Sequence, residues 1–300
     1  MKKLSAIILA LLIALPAFSY FNPEYSDYVF YVEEDFEKDL EYLEQALATS
    51  EDDVEKSEIL WRLSRVVLTM GDAIPKDDKP ARFAAYEKSQ ALAEESIALH
   101  RNANAFHWKS SALGRWGQVK GPLDCLGKAP GMRDDVLVVL DEFNYDYTDS
   151  YYVMGLLYDQ LPGWPISFGD KNFAISYLRR SIDTRMYPER GIYMTLYMEL
   201  SDQLYRRNWD TKKRAKEFKK MMPLYEKETK LSEKMKYYEG SEGGKNIPFY
   251  SSVPLTKMTD RQEAVMLLRY AEALYKAKPN PLPSETEKYE QIQARLAEIT

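Results

Sequence analysis

The chain has 300 residues, 45% of them apolar and 29% charged, a balance that excludes intrinsic disorder and suits one extended core or two compact ones. Lys and Arg total 41 against 47 Asp and Glu, a net charge of −6 that loss of Lys2 and Lys3 would take to −8, so bulk attraction to nucleic acid is excluded. One cysteine, Cys125, rules out an intramolecular disulfide, and with only two histidines beside it neither a zinc site nor another cofactor is expected.

Met1 to Ser19 has the order of a secretory signal: Lys2 and Lys3, the apolar run Ile7 to Leu15, Pro16, then the small residues Ala17 and Ser19. Cleavage after Ser19 would leave a periplasmic chain starting at Tyr20, whereas an uncleaved segment would tether it to the inner membrane. The apolar run falls short of the roughly 20 residues of a membrane span. No later window is apolar enough for a span, and no cysteine near the cleavage point offers a lipoprotein anchor.

From Asp35 onward apolar residues recur every three or four positions, which predicts a nearly all-helical protein. The first predicted helix is 35–48. A stripe through Ile59, Leu63, Val66, Val67 and Met70 opens at Asp52 and Asp53 and closes at Gly71. Helices follow at 81–100, 104–119, 133–144, 149–160, 171–185, 191–206 and 211–238. A stripe through Ala264, Leu267, Leu268, Ala271, Leu274 and Tyr275 and a last helix at 285–298 complete the set. Gly and Pro clusters break the chain between them. The organisation expected is a leader at 1–19, a helical repeat domain at 20–240, a linker at 241–257 and a C-terminal helical pair at 258–300 packed on the repeats.

An internal period accompanies the helices. Tyr151, Met154, Gly155 and Tyr158 match the aromatic, apolar, small, aromatic spacing of a tetratricopeptide first helix, and Gly169, Ala174, Leu178 and Ser181 fit the second. The two glycines stand 14 apart where the consensus has about seven, so extra residues around Leu161, Pro162, Gly163, Trp164, Pro165, Ile166 and Ser167 widen the turn. Trp61, Trp108 and Tyr193 are equivalent first-helix aromatics, at steps of 47, 43 and 42 residues against about 34 in a regular repeat. Tyr86, Ser89, Ala93, Ser96 and Ile97 fill the second helix of the first unit; Ala215, Lys219 and Met222 fill that of the last. The expectation is an all-α, tetratricopeptide-like array of about four degenerate helix-turn-helix units plus flanking helices, stacked because no pair can bury its apolar face alone.

With Leu60, Trp61, Arg62, Leu63 and Ser64 opening it, the Tyr86 to Leu99 helix, Trp108 and the Leu161 to Gly169 turn, the segment Glu58 to Asp183 resembles a tetratricopeptide-like family. That family includes the regulator of microtubule dynamics proteins, and the segment is also similar to the T-component of tripartite periplasmic (TRAP) transporters. The resemblance covers about 40% of the chain. It implies a helical-repeat fold, a homo-oligomer and association with a periplasmic solute-binding protein. A bacterial leader argues against a microtubule role, and the lipidation cysteine usual in T-components is absent here.

Among 23 tyrosines and five tryptophans, Tyr151, Tyr152, Tyr158, Trp164 and Phe168 would converge near one end of the third unit, with Tyr187, Tyr193 and Tyr197 on the next. Most such rings build repeat core. Trp164 differs: it lies in the extra turn, where no repeat position needs it, and Pro162 and Pro165 stiffen it. Trp164, Phe168, Tyr151, Tyr158 and Tyr193 are therefore the candidate residues for binding a partner or ligand. His100 and His107 are seven apart with Asn102 and Asn104 interrupting, Cys125 lies in a Gly-rich turn, and Gly240 to Lys245 has Glu239 and Asn246 where a phosphate loop needs Gly and Ser or Thr. No catalytic or metal residue is expected. Glu33 to Glu58 holds twelve acidic residues against Lys38 and Lys56, and Arg206 to Lys220 eight basic residues against Asp210 and Glu217. They read as solvated faces or as complementary patches between subunits.

These readings point to an exported, non-enzymatic protein that binds another protein on its concave surface, as an accessory of a periplasmic transport or envelope system. Two other classes stay open. One is a helical chamber holding a small apolar or acidic ligand for delivery to a transporter, which a co-purifying molecule would mark. The other is an envelope hydrolase or lyase, which a carboxylate pair in a closed cleft would mark.

Overall fold

Helix starts are encoded by short polar side chains. In the computed structural model, which describes residues 21–121, 126–184, 193–241 and 246–300, Asp52 accepts the Glu55 N–H at 2.8 Å, Asn102 that of Ala105 at 2.8 Å and Asp210 that of Lys213 at 2.7 Å. Thr259 and Gln262 cap reciprocally. Each bond satisfies an N–H that the first helical turn leaves without a partner.

The helices are α1 (Pro23–Tyr28), α2 (Phe36–Thr49), α3 (Asp53–Ala73), α4 (Lys79–Leu99), α5 (Ala103–Lys120), α6 (Ala129–Leu137), α7 (Thr148–Gln160), α8 (Lys171–Thr184), α9 (Met194–Arg207), α10 (Thr211–Lys227), α11 (Leu231–Met235), α12 (Asp260–Ala277) and α13 (Pro283–Ile299). α1 and α6 run on into π-turns, Val29–Glu33 and Val138–Glu142. There is no strand among the described residues, and the fold is all-α. No described helix is long and apolar enough to cross a membrane. Residues 1–19, expected as a leader, and Cys125 and Tyr187 lie outside the described residues.

Successive helices pack as pairs, α3 on α4, α4 on α5, α5 on α6 and α7 on α8. Small side chains set the approach. Ser64 and Ser89 pair through their hydroxyls at 2.9 Å, as do Ser57 and Ser96, and each serine pair also reaches a carbonyl on the facing helix. At Gly155 a Cβ would stand 2.7 Å from Leu178 Cγ, so α7 and α8 touch where Gly155, Ala174 and Leu178 were expected to interlock.

The C-terminal third departs from the expected layout. The predicted helix 211–238 ends at Lys227; residues 228–230 are not helical and α11 begins anew, its Ser232 N–H and hydroxyl both held by Asp141 at 2.8 and 2.6 Å. Nor is α10 the second helix of the unit that starts at Tyr193. Ala215 and Lys219, expected to interlock, face solvent, because this lysine-rich helix buries only Arg214 and Phe218. The broad stripe of α12, with Ala264, Leu267, Leu268 and Ala271 fully buried, packs on α9 instead. In the segment expected as a linker, residues 246–257, Tyr250 and Leu255 are buried in the core.

One buried ionic cluster holds this third in place. Arg179 of α8 meets Glu263 at 2.5 Å and Glu239 at 3.1 Å; Arg207 at the end of α9 meets Glu239 at 2.5 Å and Asp260 at 2.8 Å; Arg214 of α10 pairs with Glu263 and Asp260. The Tyr250 hydroxyl donates to Glu263 at 2.6 Å. Burial would raise Glu263, but the Arg179 and Arg214 guanidiniums outweigh it and hold the carboxyl at about 2. Two cations of the expected basic patch, Arg207 and Arg214, are thus interior.

Two variants test this packing. Gly155→Leu forces the α7–α8 contact apart and is expected to cost about 1 to 3 kcal/mol in urea unfolding; no loss would mean the contact is not close. Glu263→Gln leaves Arg179 and Arg214 buried without their shared anion and is expected to cost about 3 to 5 kcal/mol, whereas Lys216→Ala on the exposed face of α10 stays within about 0.5 kcal/mol.

Candidate functional site

α3, α5, α7 and α9 each turn one side toward a common space, whereas α4 adds nothing to its wall and α8 only Lys171. The enclosed volume is about 1120 Å³. Leu68, Trp108, Leu113, Met132, Tyr152 and Leu156 give the wall its apolar character, with Phe30, Tyr31 and Phe36 from the N-terminal segment. Leu282 and the first turns of α13 join the wall beside this N-terminal segment. There the ends of the chain meet: Ser284 donates to the Glu34 carboxylate through its hydroxyl and, at 3.4 Å, its N–H, a contact spanning 250 residues.

The wall's charges are largely paired. Arg115 binds Asp72 at 2.9 Å, and Asp72 also accepts the Tyr86 hydroxyl at 2.7 Å. Lys171 and Arg206 share Asp159 at 2.8 and 3.1 Å; burial pushes this carboxyl up, but hydrogen bonding by Lys171 and the two cations together bring it below its usual value. Burial raises the Tyr152 hydroxyl. It also pushes His107 down to about 3, so this ring is neutral, with Nδ1 3.2 Å from the Ser150 hydroxyl and Tyr147 edge-on at 4.9 Å. No cluster of potential metal ligands occurs among the described residues. The wall is thus mostly apolar, with Asp72 and Asp159 paired to cations.

The five candidate aromatic residues separate. Tyr151 and Tyr158 are buried core: Tyr151 donates to Asp146 at 2.6 Å, and Tyr158 packs among Phe168, Phe173 and Tyr177, so neither ring faces a partner. Phe168 is half-buried, with Arg133 4.9 Å from its ring. Tyr193 is half-buried on the cavity wall. Trp164 stands out in solvent, 89% exposed. Sequence reasoning missed the cavity side of α5, where Trp108, Ser111, Arg115 and Gln118 recur at helical spacing. That second stripe, opposite the core-facing one, was the available signal. No family model and no curated protein matches the chain.

The buried neutral state of His107 has a readable pH dependence. Unfolded, the ring titrates near 6.5; folded, near 3, so between these values the unfolded chain binds more protons and stability falls as pH drops. Between pH 7 and 5 the stability margin of wild type over His107→Gln is expected to shrink by about 2 kcal/mol, one proton's worth below 6.5 at about 1.4 kcal/mol per unit. A margin independent of pH in urea titrations would place the ring in water.

Proposed function

We propose that this chain is an exported, non-enzymatic, tetratricopeptide-like binding protein that holds an apolar small molecule between its inner helices and passes it to a periplasmic transport or envelope system. The cavity carries the reading. Its volume, about 1120 Å³, lies just above the roughly 300 to 1,000 Å³ usual for ligand pockets, and its wall is mostly apolar with a few paired polar groups. The approach of α7 to α8 at Gly155 supports the repeat reading, and the order of Lys2, Lys3, Ile7 to Leu15 and Ser19 supports export. The paired state of Asp72 and Asp159 and the neutral His107 weigh against a hydrolase.

The test uses N-phenyl-1-naphthylamine, a neutral apolar fluorophore. Saturable binding to the full chain is expected, lowered at least about tenfold by Leu156→Trp or Val153→Trp, which fill the cavity from half-buried wall positions while leaving helical circular dichroism unchanged. Binding of equal strength in both variants would remove the cavity as the site.

A further inference from the structure

The turn between α7 and α8 leaves the cavity wall at Leu161 and returns to it at Lys171. Its backbone is braced: Ile166 and Ser167 donate to the Gly163 carbonyl at 3.1 and 3.3 Å, Gly169 to that of Pro162 at 3.0 Å and Asp170 to that of Tyr158 at 2.9 Å. Phe168 folds inward onto Tyr158. Trp164 and Ile166 point the other way, at 89% and 71% exposure the two most exposed large apolar side chains among the described residues.

Cations surround the base of this turn. Lys171 and Arg206 have side chains 61% and 56% exposed and also line the cavity, so the cavity wall reaches solvent at these two cations, one of which directly follows the turn. The anion that they share, Asp159, is mostly buried, and Asp170 is engaged in capping α8 through the N–H groups of Asn172 and Phe173. Arg133, over the Phe168 ring, adds a third cation, paired with the exposed Asp134.

We propose that this turn is a membrane-contact finger: Trp164 and Ile166 enter the interfacial layer of a lipid bilayer, and Lys171, Arg206 and Arg133 meet its anionic headgroups, which sets the cavity mouth against lipid. Indole rings favour the bilayer interface, where one edge is apolar and the other wet. Each Lys or Arg close to an anionic surface adds about 1 kcal/mol. A protein interface calls for about 800 Å² per partner around a desolvated centre; here two protruding side chains sit within a ring of charge. The proposal goes beyond the ligand reading: the finger binds lipid whether or not the cavity is filled, and a filled cavity gains a route for an apolar molecule that avoids water.

Vesicle flotation with the full chain tests it, using phosphatidylcholine with and without phosphatidylglycerol. The wild type is expected to float with the anionic vesicles, less so at high salt, and brominated lipid to quench fluorescence that Trp164→Ala removes. Trp164→Ala with Ile166→Ala, checked for unchanged circular dichroism, is expected to bind at least about tenfold more weakly. Lys171→Gln with Arg206→Gln should weaken only the binding to anionic vesicles. Equal flotation of the Trp164 and Ile166 double variant overturns the proposal. So does an absence of flotation, and one accompanied by Trp164-dependent cross-linking to an envelope protein assigns the turn to a protein partner. Failure of naphthylamine binding leaves flotation intact, so the two readings fail separately.

Discussion

The arrangement of the C-terminal third depends on six charges held almost entirely out of water. Arg179, Arg207 and Arg214 all precede residue 215, and Glu239, Asp260 and Glu263 all follow residue 238, so every ion pair in the cluster ties the later segment to the earlier helices. Three positive charges balance three negative ones, and each carboxylate is shared between two guanidiniums. Such a cluster adds little net stability over an apolar core of the same size, because desolvation offsets attraction, but a displaced member leaves a bare charge inside. Its effect is to penalise every docking of the later segment except one. With that docking fixed, the stripe of α12 covers α9 and α13 is carried round to the cavity.

The cavity takes its character from the same layering. α3, α5, α7 and α9 line the cavity, with Ala129 and Met132 of α6, while α4 stands behind them, so a lining helix needs two contrasting faces, one for its neighbours and one for the cavity. α7 shows both: Tyr151, Met154, Gly155 and Tyr158 go into the core, whereas Tyr152, Val153 and Leu156 look inward. Asp72 and Asp159 already have cationic partners, so the cavity's remaining character is set by its shape and its apolar side chains.

Local chemistry was legible in the sequence. Asp52 announced a helix start, the apolar stripes located the helices, and Gly155 indicated a close contact with the helix that follows it. What stayed hidden depends on distant partners. Arg207 and Arg214 read as part of a basic surface because nothing near them in sequence shows that Glu239, Asp260 and Glu263 will enclose them. α10 read as a repeat helix because its length and period are helical, yet its apolar face is too narrow to compete with that of α12 for α9. The cavity was invisible for a related reason: its wall is built from ordinary apolar side chains of several helices, and a void has no residue of its own. Trp164 was found because proline on either side and an excess of turn residues are local facts.

An open helical array behaves like a spring, its curvature free to relax at either end. Here two segments distant in sequence are clasped, since Ser284 at the start of α13 holds Glu34 just ahead of α2. An exposed hydrogen-bonded contact of this kind is worth about 1 kcal/mol, far less than the buried contacts between α3 and α4 or α7 and α8. Parting it would widen the cavity between Glu34 and Ser284 while the flanking helices stay wound.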